Sequence, residues 1–182
     1  MEALETLKQQ GKIRSIGASN TSADDVAAYV AAGQLDAIQE EYSMVKRDIE
    51  TSLLPQCAEH SVSALSYSSL ALGLLSGKVG PDREFSGDDQ RKDNPRFSMA
   101  NRQKIAALME EIAPVADAHN ATLAQTVIAW TVQQPGITFS LCGARNADQA
   151  RENAAAGRIR LSQQDIAIIT AAAGTHLTNL DG

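Results

Sequence analysis

The sequence predicts an α/β protein built on parallel strands. Short runs rich in β-branched and apolar residues alternate with helical patterns, the connections between them are short, and the alternation repeats four times. Antiparallel strands can be joined by tight hairpins, whereas parallel ones need a crossover, and the helical stretches supply it.

Element by element, Glu2 to Gln10 places Leu4 and Leu7 at helical spacing and stops at Gly11, a residue suited to ending a helix. It reads as a helix whose preceding strand is absent. Ile13 to Ser19 reads as a strand, and Thr21 or Ser22 caps a helix to about Ala32, with Asp24 and Asp25 in its positively polarised first turn. Asp36 to Tyr42 is the next strand and Ile49 to His60 its helix; Val62 to Leu70 is the third strand. From Gly80 to Asn101 the chain turns polar and is broken by Gly80-Pro81, Ser86-Gly87 and Asn94-Pro95, which predicts a long loop. Helices follow at about Ala100 to His119 and Leu123 to Gln133, the first bent or split by Pro114. Thr138 to Cys142 is the fourth strand, with a helix from Asn146 to about Ala156. Ser162-Gln163-Gln164-Asp165 opens a final helix. Four such units fit either an open doubly wound sheet or half of an eight-stranded barrel, and 182 residues is short for a whole barrel.

Composition narrows the function classes. At 43% hydrophobic and 21% charged, the chain reads as one globular domain, residues 1–182, with the polar loop at about 80–101. A net charge of −6 argues against a nucleic-acid backbone or an anionic membrane as partner. No apolar run reaches the roughly 18 residues of a membrane span. The two cysteines match no metal-ligand spacing and no secretory signal opens the chain, so a cytoplasmic location is expected.

Several tempting motifs do not hold. Gly73-Leu74-Leu75-Ser76-Gly77-Lys78 has three residues between its glycines, not four, and Val79 stands where a phosphate loop needs Ser or Thr. Cys57 and His60, three apart on a helix, read as a core thiol and a helix-end imidazole rather than a nucleophile pair. His119 and His176 have no ligand-type partner at metal spacing, so no metal is assigned.

The stretch Gly11-Lys12-Ile13-Arg14-Ser15-Ile16-Gly17-Ala18-Ser19-Asn20 resembles the aldo-keto reductase family, in which it forms the fifth strand of the barrel. The likeness continues in order through Gln39 and Tyr42-Ser43, Leu53-Leu54-Pro55, Tyr67 to Lys78, Pro95-Arg96-Phe97, Thr122 to Gln125, Ala129-Trp130, Gly143 to Gln149 and Glu152-Asn153. The resemblance therefore implies a partial (β/α)8 TIM barrel. The four strand-helix units are then its C-terminal half, followed by an extra C-terminal helix.

The resemblance also implies NADPH as cofactor. Ser19, Asn20 and Gln39 would hydrogen-bond the nicotinamide carboxamide, a group that needs both donors and acceptors. Tyr67 would stack on the nicotinamide ring, and Ser68 and Leu70 would follow it along the cofactor. Ser69 replaces a proline common in the family, which predicts a less rigid pyrophosphate loop. Gly143 and Arg145 would meet the 2′-phosphate at a helix start, with Gln149, Glu152 and Asn153 facing phosphate and adenine.

No catalytic residue is assigned. Family members take a proton-donating tyrosine and its tuning lysine, aspartate and histidine from the first four strands, and this chain is expected to begin after them. None of Tyr29, Tyr42 and Tyr67 has a matching lysine. The expected activity is reduction of a small aldehyde or ketone once an N-terminal half completes the barrel. The alternative is a non-catalytic NADP-binding regulatory or self-associating half-barrel protein, because unpaired edge strands favour association.

Overall fold

The computed structural model describes residues 1–180. The last two residues of the expected 1–182 domain lie outside it. Two compact units make up the chain, Met1–Ser69 with Val132–Leu141, and Leu70–Thr131 with the chain from Cys142 onward.

The first unit carries the sheet. Its four strands, β1 (Gly17–Ser19), β2 (Ala37–Glu41), β3 (Ser63–Tyr67) and β4 (Ile137–Ser140), pair in parallel in the order β1-β2-β3-β4. Helices α1 (Glu2–Gln9), α2 (Ala23–Ala32) and α3 (Leu53–Glu59) belong to the same unit. β1 is shorter than the expected Ile13 to Ser19 because its pairing with β2, its neighbour among the described residues, starts at Gly17 opposite Ala37. Just ahead, the Ile16 backbone N–H donates to the Asp36 carboxylate at 2.7 Å, a side chain replacing the ladder. That carboxylate also receives Lys8 Nζ at 2.7 Å and so fastens α1 to the start of β2.

Register separates two faces. Ile38, Ala64 and Ile137 are aligned across β2, β3 and β4, are all buried, and share the core with Val26 of α2 and Leu53, Leu54 and Cys57 of α3. Burying one such aliphatic side chain stabilises by about 1.5–3 kcal/mol. The opposite face carries the row Ser19, Gln39, Leu65 and Phe139. Phe139 is 58% exposed there, on the edge strand β4.

The expected helix from Ile49 to His60 is two pieces, a 3-10 turn at Asp48–Glu50 and then α3. Pro55 explains the break: its ring would clash with the Thr51 carbonyl in a continuous helix, whereas in a first turn it is tolerated. Of the two candidates Thr21 and Ser22, it is Ser22 that caps α2, in a reciprocal box with Asp25.

The second unit is helical. It opens on a strained turn, Ala71–Ser76, in which Ala71, Leu72 and Gly73 all have positive φ (47°, 56° and 91°). The loop contains a 3-10 turn at Pro95–Phe97 and is held by buried groups. Arg102 donates to the carbonyls of Gly80, Arg83 and Phe97, and Asn101, 1% exposed, donates to those of Pro95 and Arg96. Helix α4 (Met99–Ala118) passes through Pro114 without splitting. It packs on α7 (Gln163–His176), joined by His119 to Asp165 at 3.1 Å and His176 to Glu111 at 2.7 Å. Within this unit α5 (Leu123–Val132, its last residue in the first unit) buries Trp130, whose indole N–H donates to Thr170. Helix α6 (Ala147–Ala156) completes the unit.

Candidate functional site

In the first unit the structure gathers Ser19 and Asn20 at the end of β1, Gln39 midway along β2, and Tyr67 and Ser68 at the end of β3. Ser19 and Gln39 are register partners, so their side chains share the face opposite the core. The Ser19 hydroxyl and the Asn20 backbone N–H both donate to the Gln39 carbonyl, at 2.9 and 3.2 Å. The Tyr67 hydroxyl donates to Oδ1 of Asn20 at 2.6 Å. Asn20 and Ser68 are held left-handed, at φ 57° and 58°, a conformation that costs about 1–3 kcal/mol in a non-glycine residue and clusters at ligand sites.

The donor set fits a primary amide. Gln39 is exposed and its side-chain amide makes no hydrogen bond among the described residues, and Tyr67 takes only the oxygen of Asn20, leaving Nδ2 to donate. One donor and one donor-acceptor pair are thus presented together.

Ser69, expected to loosen the following loop, is 2% exposed, and its hydroxyl lies 3.3 Å from that of Ser66 and 2.5 Å from that of Ser140. A chain of hydroxyls across β3 and β4 restrains the backbone where the family's proline would restrain φ.

The second unit brings together Gly143, Arg145, Gln149, Glu152 and Asn153 at the start of α6; Leu70 sits apart, at the head of the strained turn. The Arg145 backbone N–H donates to the Gln149 side chain at 2.8 Å, Asn146 caps the helix through the Gln149 N–H, and Asn153 donates to the Gly143 carbonyl at 3.0 Å. The loop is thereby folded back onto its own helix. The Arg145 guanidinium is exposed and has no partner among the described residues. A free guanidinium beside a helix N-terminus suits an oxyanion.

Glu152 is more engaged than the sequence indicates. Its carboxylate accepts from Thr122 Oγ1 at 2.9 Å and Lys78 Nζ at 3.3 Å, and its carbonyl accepts from the Gln125 amide. Thr122 and Gln125 also exchange hydrogen bonds in a reciprocal cap of α5. That cap is legible as Thr-x-x-Gln, but its use as a prop for Glu152 depends on tertiary packing.

The three tyrosines are held in different ways. Tyr42, fully buried, donates to Glu50 at 2.5 Å while Arg47 forks the same carboxylate. Burial first, then Glu50, raises its phenol well above the ordinary value, the wrong direction for proton donation. Tyr67 is bonded to Asn20, and Tyr29 lies exposed on α2. Among the described residues no group of His, Cys, Asp and Glu is arranged to hold a metal, and no helix is long and apolar enough to cross a membrane.

The profile of the Aldo/keto reductase family matches residues 1–173. The NADH-specific methylglyoxal reductase of Escherichia coli is 35% identical over 166 residues, which are 91% of this chain and 50% of the relative. An aldo-keto reductase of Schizosaccharomyces pombe designated for NADP(+) is 30% identical over 169 residues, 91% of this chain and 50% of the relative. The glycerol dehydrogenase of Gluconobacter oxydans superposes with a TM-score of 0.89 at 29% identity, over 97% of this chain and 54% of that one. The chain spans about half the length of the curated relatives it matches, and its four parallel strands are part of a barrel. It belongs to the aldo/keto reductase family.

Proposed function

We propose that this chain is the C-terminal, cofactor-holding part of an NADPH-dependent aldo-keto reductase that reduces aldehydes or ketones. The observation that carries the reading is the cluster formed on β1, β2 and β3, where Ser19, Asn20 and Gln39 offer amide-matched donors and acceptors beside the Tyr67 ring. Ser68 and Leu70 are proposed as further cofactor contacts. Gly143, Arg145, Gln149, Glu152 and Asn153 are proposed for the phosphate and adenine end.

NADPH, when bound, supplies the hydride. The chain's own residues hold and orient: Ser19, Asn20 and Gln39 fix the carboxamide, Tyr67 stacks on the ring to select its face, and Arg145 balances the 2′-phosphate charge. Preference for NADPH over NADH rests on Arg145, since relatives designated for either cofactor share the family. The proton donor is proposed to come from an N-terminal half, because Tyr29, Tyr42 and Tyr67 are each unsuited to the task.

A second reading, a binder without turnover, is favoured by the same phenols, since Tyr42 is locked to Glu50 and Tyr67 to Asn20. One experiment tests the cofactor assignment that both readings share. The purified chain is titrated with NADPH and NADH by cofactor fluorescence and then assayed with a generic aldehyde. Tighter binding of NADPH supports the cofactor assignment, and binding of neither at millimolar concentration overturns it. Turnover by the chain alone would overturn the assignment of the proton donor elsewhere.

A further inference from the structure

Glu40 is one residue on from Gln39 in β2, so its side chain leaves the opposite face of the sheet. It is a carboxylate only 6% exposed. Burying such a charge is costly unless hydrogen bonds compensate it. Its Oε1 receives two, from the Thr21 backbone N–H at 2.7 Å and the Thr21 hydroxyl at 2.8 Å. The charge is also felt by the buried Cys57 thiol, which desolvation first and Glu40 second push up to about 11.

What these two bonds hold is the connection between β1 and α2. Thr21 directly follows Asn20, whose backbone is left-handed, whose N–H is bonded to Gln39 and whose side chain receives the Tyr67 hydroxyl. Asn20 is thus fixed on one side by Gln39 and on the other by Thr21. Without an anchor at Thr21, the strained residue is free to relax toward ordinary φ, and its amide turns away.

We infer that Glu40 is a positioning residue for nicotinamide recognition, acting through Thr21 to keep Asn20 left-handed with its amide aimed at the carboxamide position. The inference rests on the proposed cofactor reading and adds to it a group on the face of the sheet turned away from the cofactor. It differs from a general stabilising role because its effect is confined to the nicotinamide end.

The test uses two probes on the full chain, NADPH and 2′-phospho-ADP-ribose, the second lacking nicotinamide. Glu40→Ala is expected to raise the NADPH dissociation constant about tenfold and leave that of 2′-phospho-ADP-ribose within about twofold. Glu40→Gln, which retains an acceptor for both Thr21 donors, is expected to restore NADPH binding to within about threefold of the parent. Should Glu40→Ala not fold, Thr21→Val, which removes one donor and keeps the backbone N–H, is read instead, with an expected weakening of about threefold for NADPH alone. An equal loss for both probes, no loss for either, or no rescue by Gln overturns the inference. Failure of the parent chain to bind either probe overturns the cofactor reading itself and this inference with it.

Discussion

The Tyr67 hydroxyl and the Asn20 side-chain oxygen are 2.6 Å apart, a bond that ties the end of β3 to the loop after β1 across the intervening strand β2. The aromatic ring proposed to stack on nicotinamide and the amide proposed to grip it are therefore one mechanical unit. Tyr67→Phe keeps the ring and frees Asn20, and is expected to weaken NADPH binding about threefold to tenfold, the value of one hydrogen bond. Tyr67→Ala removes the ring as well and is expected to cost more. Cofactor fluorescence titration of both variants gives the comparison, and equal losses would assign the whole effect to the hydroxyl.

Arg145 offers an uncommitted charge at the head of α6. Arg145→Ala is expected to weaken NADPH by about tenfold, near 1.4 kcal/mol, and to leave NADH almost unchanged. The ratio of the two dissociation constants is the quantity to measure.

Asp36 links stability to pH. The Lys8 ammonium, then the Ile16 N–H, hold its carboxyl below the ordinary value. A carboxyl depressed on folding stabilises the native state above the unfolded value, about 3.9, and that contribution disappears as pH falls through the lower folded value. Denaturant unfolding at pH 7 and pH 3 is expected to show the parent losing more stability than Asp36→Asn, whose curve is flatter over the same interval.

Gly77 closes the strained turn in the left-handed region, at φ 73°, and a Cβ there would lie 2.6 Å from Leu123 Cδ1. Gly77→Ala is expected to destabilise by about 1–3 kcal/mol through backbone strain and the clash together. A lowered thermal midpoint checks it, and an unchanged one would show that Leu123 moves aside at little cost.

β4 is an edge strand presenting Phe139, 58% exposed, and Leu141 directly after it is 40% exposed. Concentration-dependent self-association is expected, reduced by Phe139→Lys, because a charge on an exposed edge disfavours strand addition. Sedimentation across a hundredfold concentration range, roughly, distinguishes this from a monomer of either sequence.

Much of this architecture is legible in the residues because local rules and global fold agree. The cap at Ser162 can be read directly and that of α2 to within one residue, Thr21 or Ser22, since caps are short-range chemistry. The start of β1 cannot, because Ile13 to Ile16 have strand character and the neighbouring strand simply begins later, at Ala37. The polar segment after Gly80 looks loose in composition, yet Arg102 and Asn101, lying beyond most of it in sequence, supply the hydrogen bonds that order it. The same limit applies to the site. Ser19, Asn20 and Gln39 carry recognisable motifs, whereas Glu40 resembles any solvated strand-end carboxylate until the fold buries it against Thr21.

The chain has one tryptophan and three tyrosines, and they are sorted by unit: Trp130 is in the helical one, and Tyr29, Tyr42 and Tyr67 are all in the one that carries the sheet. Each unit thereby has its own intrinsic chromophore. Indole emission and tyrosine near-ultraviolet dichroism, followed during the same melt, report whether the two units unfold in one transition or two, without any label.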